Sequence, residues 1–122
     1  MLRPALHPEG LAPRTTNFPQ WRAHLLDRLG RQAVRSGDPA LAALHDELAA
    51  YPAGGRAPAV DADAGEIAVP LRIRRGDHEL TFISTVTTFG TAVDITVSEL
   101  SIESFFPADA ATADLLRAAA AA

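Results

Sequence analysis

The spacing of apolar residues changes once along this chain, and that change constrains the fold more than any other feature. In NFPQWRAHLLDRLGRQAVRSG the apolar residues recur at the helical period of about 3.6. Phe18, Trp21, Leu25, Leu26, Leu29 and Ala33 share one face there, and His24, Asp27, Arg28, Arg31 and Arg35 share the other. From Glu66 onward the period is about 2, that of a half-buried strand. Ile67, Val69, Leu71 and Ile73 alternate with Ala68, Pro70, Arg72 and Arg74. Helices followed by strands, rather than interleaved with them, predict an α+β domain with helices packed on one face of an antiparallel sheet.

Local signals set the element boundaries. Asn17 is placed to cap the first long helix, Pro19 is tolerated in its first turn, and Gly37 ends it. Asp38-Pro39 restarts the chain as a second helix, with Leu41, Leu44, Leu48 and Tyr51 on one stripe and Pro52 closing it. Residues 1–16 carry three of the prolines before the first helix and predict an irregular lead-in, and residues 53–65 predict a surface loop.

Pro70 cannot donate to a strand ladder, so the first strand is expected at an edge or with that position turned to solvent. Gly76-Asp77 turns the chain into a second strand, where Leu80, Phe82, Ser84 and Val86 alternate with Thr81, Ile83, Thr85 and Thr87. Phe89-Gly90-Thr91 predicts another turn, and Val93, Ile95 and Val97 a third strand. Past Val97 the apolar positions shift to Leu100 and Ile102. That shift predicts a β-bulge near Ser98-Glu99 or a strand buried on both faces. Asp109 starts a C-terminal helix through Leu115 and Leu116, with residues 118–122 as a frayed tail. The whole, 1–122, reads as one domain with two N-terminal helices, a three-stranded antiparallel meander and a C-terminal helix.

Composition excludes several functions. The net charge of −4, with no cluster of Lys or Arg, makes this polypeptide by itself a poor nucleic-acid binder. The absence of cysteine removes disulfides, thiolate metal sites and thiol nucleophiles. The first five residues lead into no apolar signal segment, and no stretch approaches the roughly 20 apolar residues of a membrane span. The expected compartment is the cytoplasm.

Chemistry-bearing residues are scattered. Ser84, Thr85, Thr87 and Thr88 stand near no histidine, and threonine is a good strand residue because its branched Cβ suits the pleat. His7, His24, His45 and His78 sit at no metal-ligand spacing. Glu99, Ser101 and Glu103 share a strand face and predict a solvated surface rather than an acid/base pair. The expectation is a protein without catalytic residues, metal or cofactor. Arg22 falls inside the apolar stripe; either its stem snorkels along apolar surface or its guanidinium meets a ligand anion.

Five segments carry a family resemblance: LHPEGLAPR, NFPQWRAHLLDRLGRQA, GDPALAALHDELAAYP, VPLRIR and ELTFISTVTTFGTAVDITVSELSIESFFPADAATADLLR. In this order they resemble the C-terminal part of MmyB-like transcriptional regulators of actinobacteria. Thr15-Thr16 and Pro4 stand where that family is more apolar. The resemblance implies a PAS-like ligand-binding fold, here partial. It also implies that DNA is contacted only through a helix-turn-helix domain absent from these residues.

A sheet lacking its first strands would leave the strand around Val93 to Val97 with an unpaired edge, which predicts self-association or a partner strand. The favoured function is ligand sensing or dimerisation, with a small apolar or amphipathic molecule held between helices and sheet. The candidate lining is Trp21, Arg22, Leu25, Leu29, Leu44 and Leu48 from the helices, with Val69, Leu71, Phe82, Val93 and Ile95 from the sheet. The alternative is a protein-interaction domain that uses the sheet edge and binds no ligand.

Overall fold

The computed structural model describes residues 1–55, 68–89 and 100–122. In chain order it contains α1 (Leu2–Leu6), a short 3₁₀ turn (Ala12–Arg14), α2 (Phe18–Ser36) and α3 (Pro39–Ala49). Strands β1 (Leu71–Arg75), β2 (His78–Thr88) and β3 (Ser101–Pro107) and helix α4 (Ala110–Ala121) follow. The strands form one antiparallel sheet in the order β1-β2-β3. The domain is therefore α+β, as the change of period requires.

α2 buries Phe18, Trp21, Leu25 and Leu29, the four large members of its apolar stripe. Gly37 ends it in the left-handed region at φ 66, where a Cβ would clash with the backbone, and its amide donates to Ala33 O. Asp38 caps α3 by accepting from Ala40 N at 2.9 Å, with Pro39 in the first turn. α3 packs its stripe against α2 and buries Leu48 completely.

The strand register fixes the two faces of the sheet. Leu71 pairs with Phe82 and Ile73 with Leu80, while Phe105 pairs with Ser84 and Glu103 with Val86. These residues face the helices. Arg72, Arg74, Ile83, Ile102 and Phe106 occupy the other face, where Ile83, Ile102 and Phe106 are exposed. The core gathers Leu6, Phe18, Trp21, Leu25, Leu29, Leu48 and Leu71, with Val69, Ile73 and Phe82 packed against it.

Several boundaries differ from the sequence reading, each for a physical reason. The lead-in is ordered: Leu6 is wholly buried in α1, and Thr15 bridges to Ile73. β1 begins only after Pro70, whose missing amide cannot join the ladder. Asn17 does precede α2, yet its side chain makes no capping bond. Its Nδ2 donates to Pro70 O at 2.6 Å and its Oδ1 accepts from Arg72 N at 3.1 Å, so the amide acts as a short surrogate strand on the edge of β1. The tail is helical to Ala121, as alanine's helix propensity favours.

The third described strand starts at Ser101. The expected strand Val93–Val97 and the bulge near Ser98-Glu99 lie outside the described residues, as do Ile67 and the Gly90-Thr91 part of the expected turn. β3 is not buried on both faces, because Ile102, Phe105 and Phe106 are exposed.

α4 closes the end of the sheet where β3 stops. Ala108 N donates to Thr81 O at 2.8 Å, and Thr81 N donates to the buried Thr112 Oγ1 at 2.9 Å. Two backbone groups of β2 that lack a β3 partner are thereby satisfied. Asp109 Oδ1 accepts from Thr112 N at 2.7 Å and starts the helix.

Candidate functional site

Between the N-terminal segment, α2 and the inner face of the sheet lies an apolar cavity of about 340 Å³. Leu2, Pro4 and Ala5 of α1, with Met1 and Leu11, form one wall. Trp21 and Leu25 of α2 form the second. The floor is Leu71 and Ile73 of β1, Phe82 of β2, and Glu103 and Phe105 of β3, with Thr15 at the junction. The volume falls within the range of about 300–1,000 Å³ typical of small-molecule sites. A wider groove of about 560 Å³ on the outer flank of α2 and α3 is more open, with Leu26, Gly30 and Val34 interspersed among Asp27, Arg31, Arg35 and His45.

The N-terminal wall is held by packing and close backbone approach. Leu6 anchors α1 in the core, and Leu11 N donates to Pro4 O at 2.9 Å. A Cβ on Gly10 would lie 2.0 Å from that same Pro4 oxygen, so only glycine permits this return of the chain. Thr15 is buried, and its hydroxyl donates to Leu11 O at 2.9 Å. Thr16 N donates to Arg72 O at 2.8 Å, and its hydroxyl donates to Glu79 Oε2 at 2.7 Å. Thr15 and Thr16 thus tie the lead-in to the edge of β1.

Of the residues expected to line the site, Trp21, Leu25, Leu71 and Phe82 come together around the cavity. Leu29 and Leu48 lie in solid core, and Leu44 and Val69 pack against it. Val93 and Ile95 lie outside the described residues. Arg22 does not reach the cavity. Its guanidinium donates to Ala49 O at 2.9 Å and Tyr51 O at 3.5 Å, capping the C-terminal end of α3 where helix carbonyls lack partners.

Sequence reasoning missed the α1 wall because its prolines disguise a one-and-a-half-turn helix. It also misread Glu103. That carboxylate is not on a solvated face: Arg28 donates to both its oxygens, at 3.1 and 3.3 Å, and the side chain is 16% exposed. The apolar alternation of Phe105 with Glu103 on one strand face was the available signal, since it places the acid beside the core.

His24 stacks on Trp21 with ring centroids 5.5 Å apart. Burial holds its pKa below the ordinary value, assisted by the positive charges of Arg28 and Arg31 and opposed by Asp27 and Glu103. The cap bonds from Thr112 likewise hold Asp109 below the usual carboxylate range. A base with a lowered folded pKa binds fewer protons when folded, so it favours folding above its unfolded value of about 6.5. That contribution is lost as pH falls from there toward the folded value. Asp109 acts in a lower window, losing its contribution as pH falls below the ordinary carboxylate range. Urea-unfolding midpoints should therefore decline as pH falls from neutral through the His24 window, and His24→Gln should flatten that first decline. A midpoint that rises on acidification in this window would contradict the assignment.

Among the described residues no group of three or more His, Asp or Glu side chains is placed to hold a metal ion. No helix there is long and apolar enough to cross a membrane. The family model described as "MmyB-like transcription regulator ligand binding domain" matches residues 1–119. The chain belongs to that family. Neither a curated protein nor a solved structure matches it. In this MmyB-like domain the cavity under α1 and α2 has, among the described residues, an apolar lining and the size of a small-molecule site.

Proposed function

We propose that this MmyB-like domain is the sensing part of a transcription regulator and that it holds a small apolar or amphipathic molecule in the cavity between α1, α2 and the sheet. The carrying observation is the cavity itself: about 340 Å³, walled by α1 and α2 and floored by the inner sheet face. Burying an apolar ligand there removes its surface from water at roughly 25 cal/mol per Å², the main source of affinity for such a site. In this reading the domain does no bond chemistry. DNA contact belongs to a helix-turn-helix domain outside these residues, and the regulator works in the cytoplasm with its DNA.

A signal must leave the domain, and the outer sheet face offers a route. Ile83 and Phe106 are paired across β2 and β3 there, with Ile102 on the same face, and all three are exposed. Cross-strand apolar surface of this kind suits self-association or a partner protein. This observation also supports the second reading, an interaction domain without a ligand.

The neutral fluorescent probe N-phenylnaphthylamine separates the two. Saturable binding of one probe per chain is expected for the parent. Ala5→Phe, which fills the cavity from α1, should weaken binding by about tenfold or more while leaving the circular dichroism spectrum unchanged. A folded, self-associating parent that takes up no probe would favour the interaction reading.

A further inference from the structure

We infer that the cavity opens along the seam between α2 and β3, and that the Arg28–Glu103 ion pair is the latch that holds this seam closed. Resting on the ligand-binding reading above, this adds the route by which a molecule enters and leaves. α2 is attached unequally on its two sides. Where the chain enters α2, Thr16 N donates to Arg72 O at 2.8 Å, and the Asn17 amide bonds Pro70 O and Arg72 N at 2.6 and 3.1 Å. Those bonds, with the bridge from Thr15 to Ile73, fasten this side to the edge of β1. On the β3 side Arg28 donates to both oxygens of Glu103, and among the described residues no other hydrogen bond or ion pair joins α2 to that strand.

The cavity lies between these two attachments, with Leu71 and Ile73 toward the fastened side and Glu103 and Phe105 toward the latched one. Exposure follows the same division, since Leu71 is 7% exposed and Phe105 39%. A rotation of α2 about its ties to β1 would therefore widen the gap at β3 first. An ion pair suits a latch there because parting it returns both charges to water. Arg28 is 32% exposed and Glu103 16%, so water already reaches both. Parting them costs less than deleting one partner, which strands the other charge in a half-buried place. Lid motions of this kind set the rates at which bound molecules exchange.

Stopped-flow mixing with N-phenylnaphthylamine measures association and dissociation separately. Arg28→Gln and Glu103→Gln should each raise both rates by about tenfold or more. Arg31→Gln is the control: its pair with Asp27 lies within α2 and spans no seam, so the rates should stay at those of the parent. Because the chain has no cysteine, Arg28→Cys combined with Glu103→Cys supplies two unique thiols that a short bismaleimide can join. Tying the seam in this way should slow both rates by about tenfold or more relative to the same protein before cross-linking.

General loosening of the fold cannot produce rates that rise when the pair is cut and fall when the two positions are tied. Glutamine variants that exchange the probe no faster than the parent overturn the latch, as does a cross-linked protein that exchanges at its unlinked rate. Absence of probe binding by the parent overturns the ligand-binding reading itself, and the latch with it. The cross-link decides the matter even where a glutamine variant fails to fold.

Discussion

Trp21→Ala is expected to destabilise the domain by about 3–5 kcal/mol, the range for a large aromatic removed from a packed core. Trp21 is 4% exposed and sits where three layers meet: α2 carries it, the core around Leu25 and Leu71 surrounds it, and its ring also walls the cavity. Alanine cannot fill that space, and the void would join the cavity that the ring now walls. Small domains have only about 5–15 kcal/mol of total stability, so this one change would remove a large fraction of it. Urea unfolding followed by far-ultraviolet circular dichroism is the suitable measurement, because the variant has no tryptophan left to report. Val34→Ala on the same helix provides the contrast. Val34 is 85% exposed, and its truncation should stay within about 0.5 kcal/mol. Similar effects from the two substitutions would mean that the α2 face assigned to the core is wrong.

Leu6→Ala is the second large effect, at about 2–5 kcal/mol. Leu6 is fully buried although it lies in a helix of only five residues. So short a helix has no stability of its own; it exists because Leu6 is driven into the core. Leu2 and Ala5 also pack against the core, and a polar tie from α1 to α3 is the Arg3–Glu47 ion pair at 2.7 Å. Its side chains are 63% and 44% exposed and screened by solvent, so Arg3→Ala should change stability far less than Leu6→Ala does. The same Leu6 substitution should also weaken N-phenylnaphthylamine binding, since α1 forms the outer wall of the cavity. An effect of Leu6→Ala as small as that of Arg3→Ala would detach the N-terminal segment from the core and leave the cavity without that wall.

Those two residues also show where sequence reading succeeds and where it stops. Trp21 was legible because an amphipathic helix repeats its message: Phe18, Trp21, Leu25 and Leu29 all vote for the same face. Leu6 was not, because Leu2, Leu6 and Leu11, scattered among three prolines and a glycine, show no sustained period. The caps at Asp38 and Asp109 were legible for the same local reason, being bonds between residues two or three apart. Asn17 occupied the expected position but bonded to a strand more than fifty residues away, which no local rule contains. Arg22 stood out correctly as an anomaly in the stripe. Its partners, the carbonyls of Ala49 and Tyr51, became available only once α3 had docked beside it.

The candidate site divides along the same line. Trp21, Leu25, Leu71 and Phe82 could be named from periodicity, because burial of a face is a property of one element at a time. Glu103 could not be judged so, since its partner Arg28 lies 75 residues earlier on another element. By itself, then, the sequence determined the α+β class, the inward faces of α2 and α3, the caps at Asp38 and Asp109 and the family, all of which depend on spacings of a few residues or on the run of residues itself. Only the tertiary structure decided that α1 closes a cavity, that Arg28 neutralises its one described acid and that Arg22 serves a helix end. Those outcomes depend on which distant groups meet, and that is set by how the elements pack.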